Sequence, residues 1–282
     1  MKMKKLPALL IVLACLPFAV TAQNWEVGIF VGGSNYSGDL SPTPIVFDET
    51  NPAFGGLIRY NIQPYLTFKG NVYYGKISGT DENAQTEQNR RRNLSFRSNV
   101  LDIGGQFEVN ILGFEPGNYE RKFSPYAFAG LSVFKFDPEA YFNDEWVRLQ
   151  PLGTEGQGTT QYNEREKYAL TQISVPFGVG LKYNFSGNWN LGVEVGWRKT
   201  FTDYLDDVSN TYASLQVLRN QSGSLSAQLS NRSAELDGEM FPNEFDEEYD
   251  TYYRGNPTNM DWYIFPGLTL SYTIIPKECF KF

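Results

Sequence analysis

Residues 189 to 197 read Trp-Asn-Leu-Gly-Val-Glu-Val-Gly-Trp, with an apolar side chain at every odd position and Asn, Gly or Glu at every even one. Successive side chains of an extended strand point to opposite faces, so this spelling commits the segment to a strand with one apolar and one polar face. The same alternation sets Ile173, Val175, Phe177, Val179, Leu181, Tyr183 and Phe185 against Ser174, Gly178, Lys182 and Asn184. It sets Trp25, Val27, Ile29 and Val31 against Glu26, Gly28 and Gly32. It recurs over residues 54–62, 65–76, 96–109, 124–136 and 261–275, making eight strands in all. Pro176 and Pro266 fall inside two of these segments and predict bulges there.

Alternating strands close in two ways: as a soluble sandwich with its apolar face inward, or as a membrane barrel with its apolar face outward. The polar faces discriminate. By parity they carry Glu26, Arg59, Lys69, Asp102, Glu108, Lys182, Glu194 and Arg198, four acids and four bases, with glycines and amides between. Glycine is poorly placed on the solvent face of a sandwich. Inside a narrow barrel it leaves room for charged side chains to pair across the lumen. Eight residues from Trp189 to Trp197, at about 3.3 Å per residue and roughly 40° tilt, rise on the order of 20 Å, close to the spacing of two aromatic girdles. The expected fold is all-β: an eight-stranded antiparallel transmembrane barrel of the outer membrane.

Connection lengths give the orientation. The links near 63–64, 110–123 and 186–188 are short, whereas residues 37–53, 77–95, 137–168 and 202–260 form long loops. Outer-membrane barrels have short periplasmic turns and long outer loops, so the four long loops are expected outside and both termini in the periplasm. The N-terminus agrees with export. Three Lys in Met1–Lys5, an apolar run from Leu6 to Val20 and Val20-Thr21-Ala22 before Gln23 spell a secretory signal peptide over residues 1–22, leaving a barrel domain over 23–282. The run is shorter than a spanning helix needs. Val12-Leu13-Ala14-Cys15 loosely matches a lipoprotein signal, but Leu16–Val20 stay apolar where a mature lipoprotein turns polar. Loss of residues 1–22 takes the formal net charge from −8 to −11 and leaves Cys279 as the one thiol, so no internal disulfide is expected.

Composition excludes much chemistry. The chain has no His, so imidazole-based nucleophile systems and His-ligated zinc or haem are ruled out. A pI near 4.8 and one short basic run, Arg90-Arg91-Arg92, give no footprint for nucleic acid. Asp203, Asp206 and Asp207 have a spacing that can ligate a hard cation such as Ca²⁺, but they lack the glycine and distal Glu of an EF-hand loop. The alternative is that Asp206 or Asp207 caps a short helix or pairs with a loop Arg. Residues 235–250 hold eight acids and no base and read as a solvated loop. Leu215, Leu218, Leu225, Leu229 and Leu236, broken by Gly223, predict a helical hairpin over or into the barrel mouth. Glu194 with Glu108 or Glu26 could make a glycosidase pair, but lumen carboxylates beside Arg and Lys are ordinarily structural. No enzyme, cofactor or metal is expected.

A resemblance is carried by Ser34-Asn35-Tyr36-Ser37-Gly38-Asp39-Leu40, by Leu149 through Gly158, by Thr202 through Ser209, and by Arg254-Gly255-Asn256-Pro257 ahead of Asp261-Trp262-Tyr263. In order along the whole mature chain, these blocks resemble the PorG-like outer-membrane barrels of the Bacteroidetes type IX secretion system. The ending Cys279-Phe280-Lys281-Phe282 is similar to that family's tail, with Phe280 where a Pro is expected. The resemblance implies a non-catalytic component that associates with a periplasmic ring and supports protein export. On that reading, ring contact falls to the longest periplasmic link, 110–123, whose Phe114, Tyr119 and Arg121 mix aromatic anchors with charge, as interface hot spots do. The competing expectation is a small structural or adhesin-like barrel unrelated to secretion. A passive pore is disfavoured, since eight strands enclose little more than their own side chains.

Overall fold

The computed structural model of the chain describes residues 24–41, 43 and 46–274. The signal segment, Cys15, Cys279 and the aromatic tail lie outside them. Eight strands form the barrel: β1 (Asn24–Ser37), β2 (Asn51–Gln63), β3 (Leu66–Thr80), β4 (Ser95–Asn110), β5 (Phe123–Lys135), β8 (Thr171–Ser186), β9 (Trp189–Thr200) and β10 (Trp262–Ile274). Each pairs antiparallel with its neighbour in the chain order given, and β1 meets β10 through Trp25↔Ile274 to Ser37↔Trp262, so the ladder closes with no barrel edge.

Burial is inverted relative to a soluble protein. Along β9, Asn190, Gly192, Glu194, Gly196, Arg198 and Thr200 are buried, while Leu191 and Val193 face out. Val27, Ile29 and Val31 of β1, Leu268 and Leu270 of β10 and Val179 and Leu181 of β8 continue this exposed apolar surface. Such a patch in water would cost far more than any folding gain, and a bilayer removes that cost. Aromatic rings border it on both sides. Trp25 packs on Tyr60 and Trp189 on Tyr272 at one rim, and Phe177 packs on Trp197 and Trp262 at the other. Trp189 and Trp197 thus sit at opposite girdles, as their spacing requires. The fold is a closed eight-stranded antiparallel barrel of the outer-membrane type.

The prolines act differently from the expectation. Around Pro266 the β1–β10 ladder lapses between Gly32↔Gly267 and Asn35↔Ile264 and resumes in the same register. Around Pro176 the β5–β8 ladder does the same between Ala129↔Phe177 and Ser132↔Ser174. Each missing N–H removes ladder bonds without inserting a residue, so no bulge forms. The register shifts lie instead at Asn61/Gln63 and Asn184/Ser186, beside the tight turns.

Three short links, 64–65, 111–122 and 187–188, lie at one end with the first and last described strand residues. The four long loops lie at the other. Inside the long loop expected over 137–168 the chain forms a hairpin, β6 (Pro138–Phe142) and β7 (Glu145–Arg148), that extends β4 through Arg97↔Glu139. Its turn residues Asn143 and Asp144 both take positive φ, 50° and 64°, the type I′ geometry for which Asn and Asp are suited. The other long loops carry α1 (Glu87–Arg92), α2 (Leu215–Gln221), α3 (Ser224–Ser230) and α4 (Ala234–Asp237). The helical hairpin turns at Gly223, whose φ of 101° suits glycine. Leu215 and Leu218 pack with Tyr212, Ala227 and Tyr249, and Leu229 packs with Ala140 and Leu149 next to the β6–β7 hairpin. Leu236, the last of that leucine series, is exposed at 57% and lies on the separate single turn α4.

Candidate functional site

All eight charged lumen residues are buried, none more than 2% exposed. Six of them form one layer nearest the short turns. Glu108 accepts from Arg59 Nε at 3.1 Å and from Lys182 Nζ, and lies 3.4 Å from Lys69 Nζ. Glu194 accepts from Lys69 Nζ at 3.0 Å, from Tyr126 at 2.7 Å and from Tyr73 at 3.0 Å. Arg59 also lies 3.6 Å from Glu26, which takes further hydrogen bonds from Asn61 and Ser271. Gly180 makes this layer possible: a Cβ there would sit 2.5 Å from the Tyr126 ring that holds Glu194. The remaining two, Asp102 and Arg198, stand apart at 3.8 Å. Asp102 accepts from Tyr263, Ser132 and Asn71, while Arg198 lies 5.3 Å from the Phe265 ring.

Toward the long loops the lumen turns aromatic. Phe30 stacks on Tyr73 at 4.4 Å, Phe134 meets Tyr263 at 5.2 Å, and Phe136, Tyr168 and Tyr204 form a stack that leads to the mouth. Ionic layer and aromatic layer together fill the interior with side chains, as an eight-stranded barrel allows. The carboxylates considered as a glycosidase pair are locked in ion pairs of this filling.

The mouth holds a second network, and here the separated sequence blocks meet. Tyr36 donates to Asp206 at 2.6 Å and lies 3.0 Å from Asp261 Oδ1. Glu155 accepts from the backbone N–H groups of Ser209 and Asn210 and pairs with Arg254 at 3.1 Å. Arg254 donates onward to the Asp207 and Ser230 carbonyls. Asp39 accepts from the Asn256 N–H at 2.8 Å. Arg92 of α1, paired with Asp81 at 2.6 Å, donates to the Asp39 and Arg254 carbonyls. Stretches 34–40, 149–158, 202–209, 254–257 and 261–263 are therefore one hydrogen-bonded assembly, buried at its centre and exposed at Asn256 and Pro257.

Asp203, Asp206 and Asp207 do not converge as a cation site would require, and among the described residues no group of three or more acids is placed to hold a metal. Asp206 accepts from Tyr36 and the Val208 N–H, Asp207 accepts from Thr154 and Tyr168, and Asp203 has Ser209 as its polar neighbour. Neither a helix cap nor a side-chain ion pair with a loop Arg accounts for them. Burial, then the nearby Asp39 and Glu155, pushes Asp203 up to about 7; burial pushes Asp207 up to about 6 despite Arg254. Burial and neighbouring carboxylates raise Asp206 and Asp261 as well. An acid with a raised folded pKa favours the fold fully below its unfolded value, about 4, and that contribution is lost as pH rises through the folded value. Protection of the amides in the 202–209 segment, taken relative to the intrinsic base-catalysed exchange rate at each pH, is therefore expected to fall between pH 5 and pH 8, by at most about tenfold per pH unit for each titrating proton. Asp203→Asn should flatten the profile; an unchanged slope in that variant would show that another group titrates.

At the opposite end the three residues expected to contact a partner separate. Tyr119 is 89% exposed and Arg121 is half-buried beside the Tyr65 ring. Phe114 is only 1% exposed and stands 5.6 Å from Lys182 Nζ, closing the lumen from below. It is unavailable to a partner because its N–H bonds the Pro64 carbonyl at 2.7 Å and holds the segment against the barrel. Ile111 and Leu112 are the exposed apolar residues there. The acidic stretch 235–250 is largely exposed, with Asp237 and Glu239 near Arg91 and Glu244 near Arg219.

The residues that sequence reasoning missed are Tyr36, Glu155, Arg92 and Arg254. Three of them lie inside the resembling blocks, which was the available signal. Arg92 was hidden in a basic run whose other members, Arg90 and Arg91, face solvent.

The profile of a family described as a domain of unknown function, DUF6089, matches residues 4–228 and 225–282. No curated protein matches the sequence. Among solved structures the chain is similar to Ail, the attachment invasion locus protein of Yersinia pestis, in complex with the heparin analogue sucrose octasulfate, at 9% identity and a TM-score of 0.41 over 90% of this chain and 100% of that one. Neisserial surface protein A gives 10% and 0.41 over 89% and 97% of the two chains. OprG from Pseudomonas aeruginosa gives 7% and 0.40 over 90% and 97%. The fold itself is carried by ladder closure and inverted burial.

Proposed function

We propose, for a chain that belongs to the DUF6089 family, a non-enzymatic role in the outer membrane as a component of a type IX secretion machine, both termini in the periplasm and the short-turn end against its periplasmic ring. The observation that carries this reading is the convergence of the PorG-like blocks on one hydrogen-bonded assembly above a filled lumen. A filled barrel is no conduit, so its contribution to export is contact with other components. With Phe114 turned inward, the ring-facing candidates are Tyr119 and Arg121. Tyr119→Ala together with Arg121→Ala is expected to reduce recovery of ring proteins in a mild-detergent pull-down several-fold, and export with it, while deletion of 235–250 has a smaller effect. Full ring recovery by the double variant, with loss on loop deletion, would sink this reading. The second reading, an adhesin-like display barrel, is favoured by the folded cap that the long loops build around their own apolar clusters; no ring protein recovered with the intact chain would favour it.

A further inference from the structure

We infer that the cleft between the β4–β5 link and the β8–β9 turn binds the phosphate headgroup of a membrane phospholipid in the leaflet on the short-turn side. The cleft measures about 300 Å³ and is lined by Tyr119, Lys122, Tyr183, Phe185 and Ser186 among others. Lys122 Nζ lies 5.9 Å from the Tyr119 ring and 6.0 Å from the Tyr183 ring, an ammonium flanked by two aromatic faces.

Its occupant follows from position and charge. Tyr183 and Phe185 are 42% and 51% exposed and belong to the lipid-facing side of β8, and Ser186 pairs with the girdle residue Trp189. The cleft therefore opens where acyl chains give way to headgroups. Arg90, Arg91, Arg148, Arg219 and Arg232, on the long-loop side, each have a carboxylate within 4.0 Å. Arg121 and Lys122 make no ion pair among the described residues. Of the two acids in the link, Glu120, two residues before Lys122, makes no ion pair with it among the described residues, and Glu115 is engaged with Asn118 at 3.1 Å. An unpaired cation at the membrane edge, walled by aromatics and next to a hydroxyl donor, fits a phosphate diester whose acyl chains lie along the exposed apolar face of β8. A free phosphate would leave that apolar wall unused. This inference does not depend on the secretion reading.

Binding of dihexanoyl phosphatidylglycerol to the full chain in neutral detergent, counted by native mass spectrometry, tests it. Lys122→Gln is expected to weaken binding about fivefold, the effect of one cation at an anionic lipid surface. Lys199→Gln, at an exposed lysine beside Trp262 on the opposite rim, should leave it unchanged. Wild-type affinity in Lys122→Gln, or equal loss in both variants, would overturn the site. So would displacement of the lipid by inorganic phosphate at matching concentration, which would assign the cleft to a free anion. Gel mobility before and after boiling verifies that each variant is folded.

Discussion

Replacing Glu108 by leucine is expected to cost the folded barrel about 3–5 kcal/mol, because it strands charges rather than removing an attraction. Arg59, Lys69 and Lys182 all lie within 3.4 Å of that carboxylate, and every one of them is buried. Among the described residues no other acid lies within 4.0 Å of Lys182, whose remaining hydrogen bond is to the Asn110 amide oxygen at 3.1 Å. Val193→Arg, one residue from Glu194 but on the outward face at 47% exposure, should cost about 2–4 kcal/mol for a different reason, burial of a cation in lipid. The two mechanisms are separable. In urea unfolding followed by heat-dependent gel mobility, Val193→Arg should be less damaging in detergent than in a bilayer, whereas Glu108→Leu should be equally damaging in both. If both variants resisted unfolding like the parent, the assignment of inner and outer faces would be wrong.

The second large effect is expected at the mouth. Arg254→Met removes the cation that, among the described residues, pairs with Glu155, and with it the donor to two loop carbonyls, at a site where both side chains are buried. About 3–5 kcal/mol of local stability should go, again through a stranded buried charge. The loss should stay local, because the ladder that closes the barrel does not pass through Arg254. Limited proteolysis should open residues 149–158 and 202–210 while the heat-modifiable barrel core survives. A cap that stays protected in the variant would mean that the aromatic stack through Tyr168 and Tyr204 holds the loops without the ion pair.

The two networks differ in how legible they were. Strand existence, face and lumen membership were written locally: a period of two in β9 puts Glu194 and Arg198 on the face opposite Val193, and pairing of short turns with long loops gives the end at which each loop lies. Phe114 shows the limit of that reasoning. Its exposed neighbours Ile111 and Leu112 have the same apolar character, and only the fold of the link turns one ring under the lumen and leaves the others outside. The β6–β7 hairpin shows another, since strands of five and four residues carry too little alternation to stand out from a loop.

By itself the sequence determined a closed barrel with charges inside, because side-chain alternation is a property of neighbouring residues and needs no knowledge of the rest of the chain. Only the tertiary structure decided which of those charges meet, and that a second network exists at all. Tyr36 reaches Asp206 across 170 positions and Glu155 reaches Arg254 across 99. Contacts at such separations are set by the register with which β1 closes on β10 and by how four loops pack over one mouth. No local period encodes either.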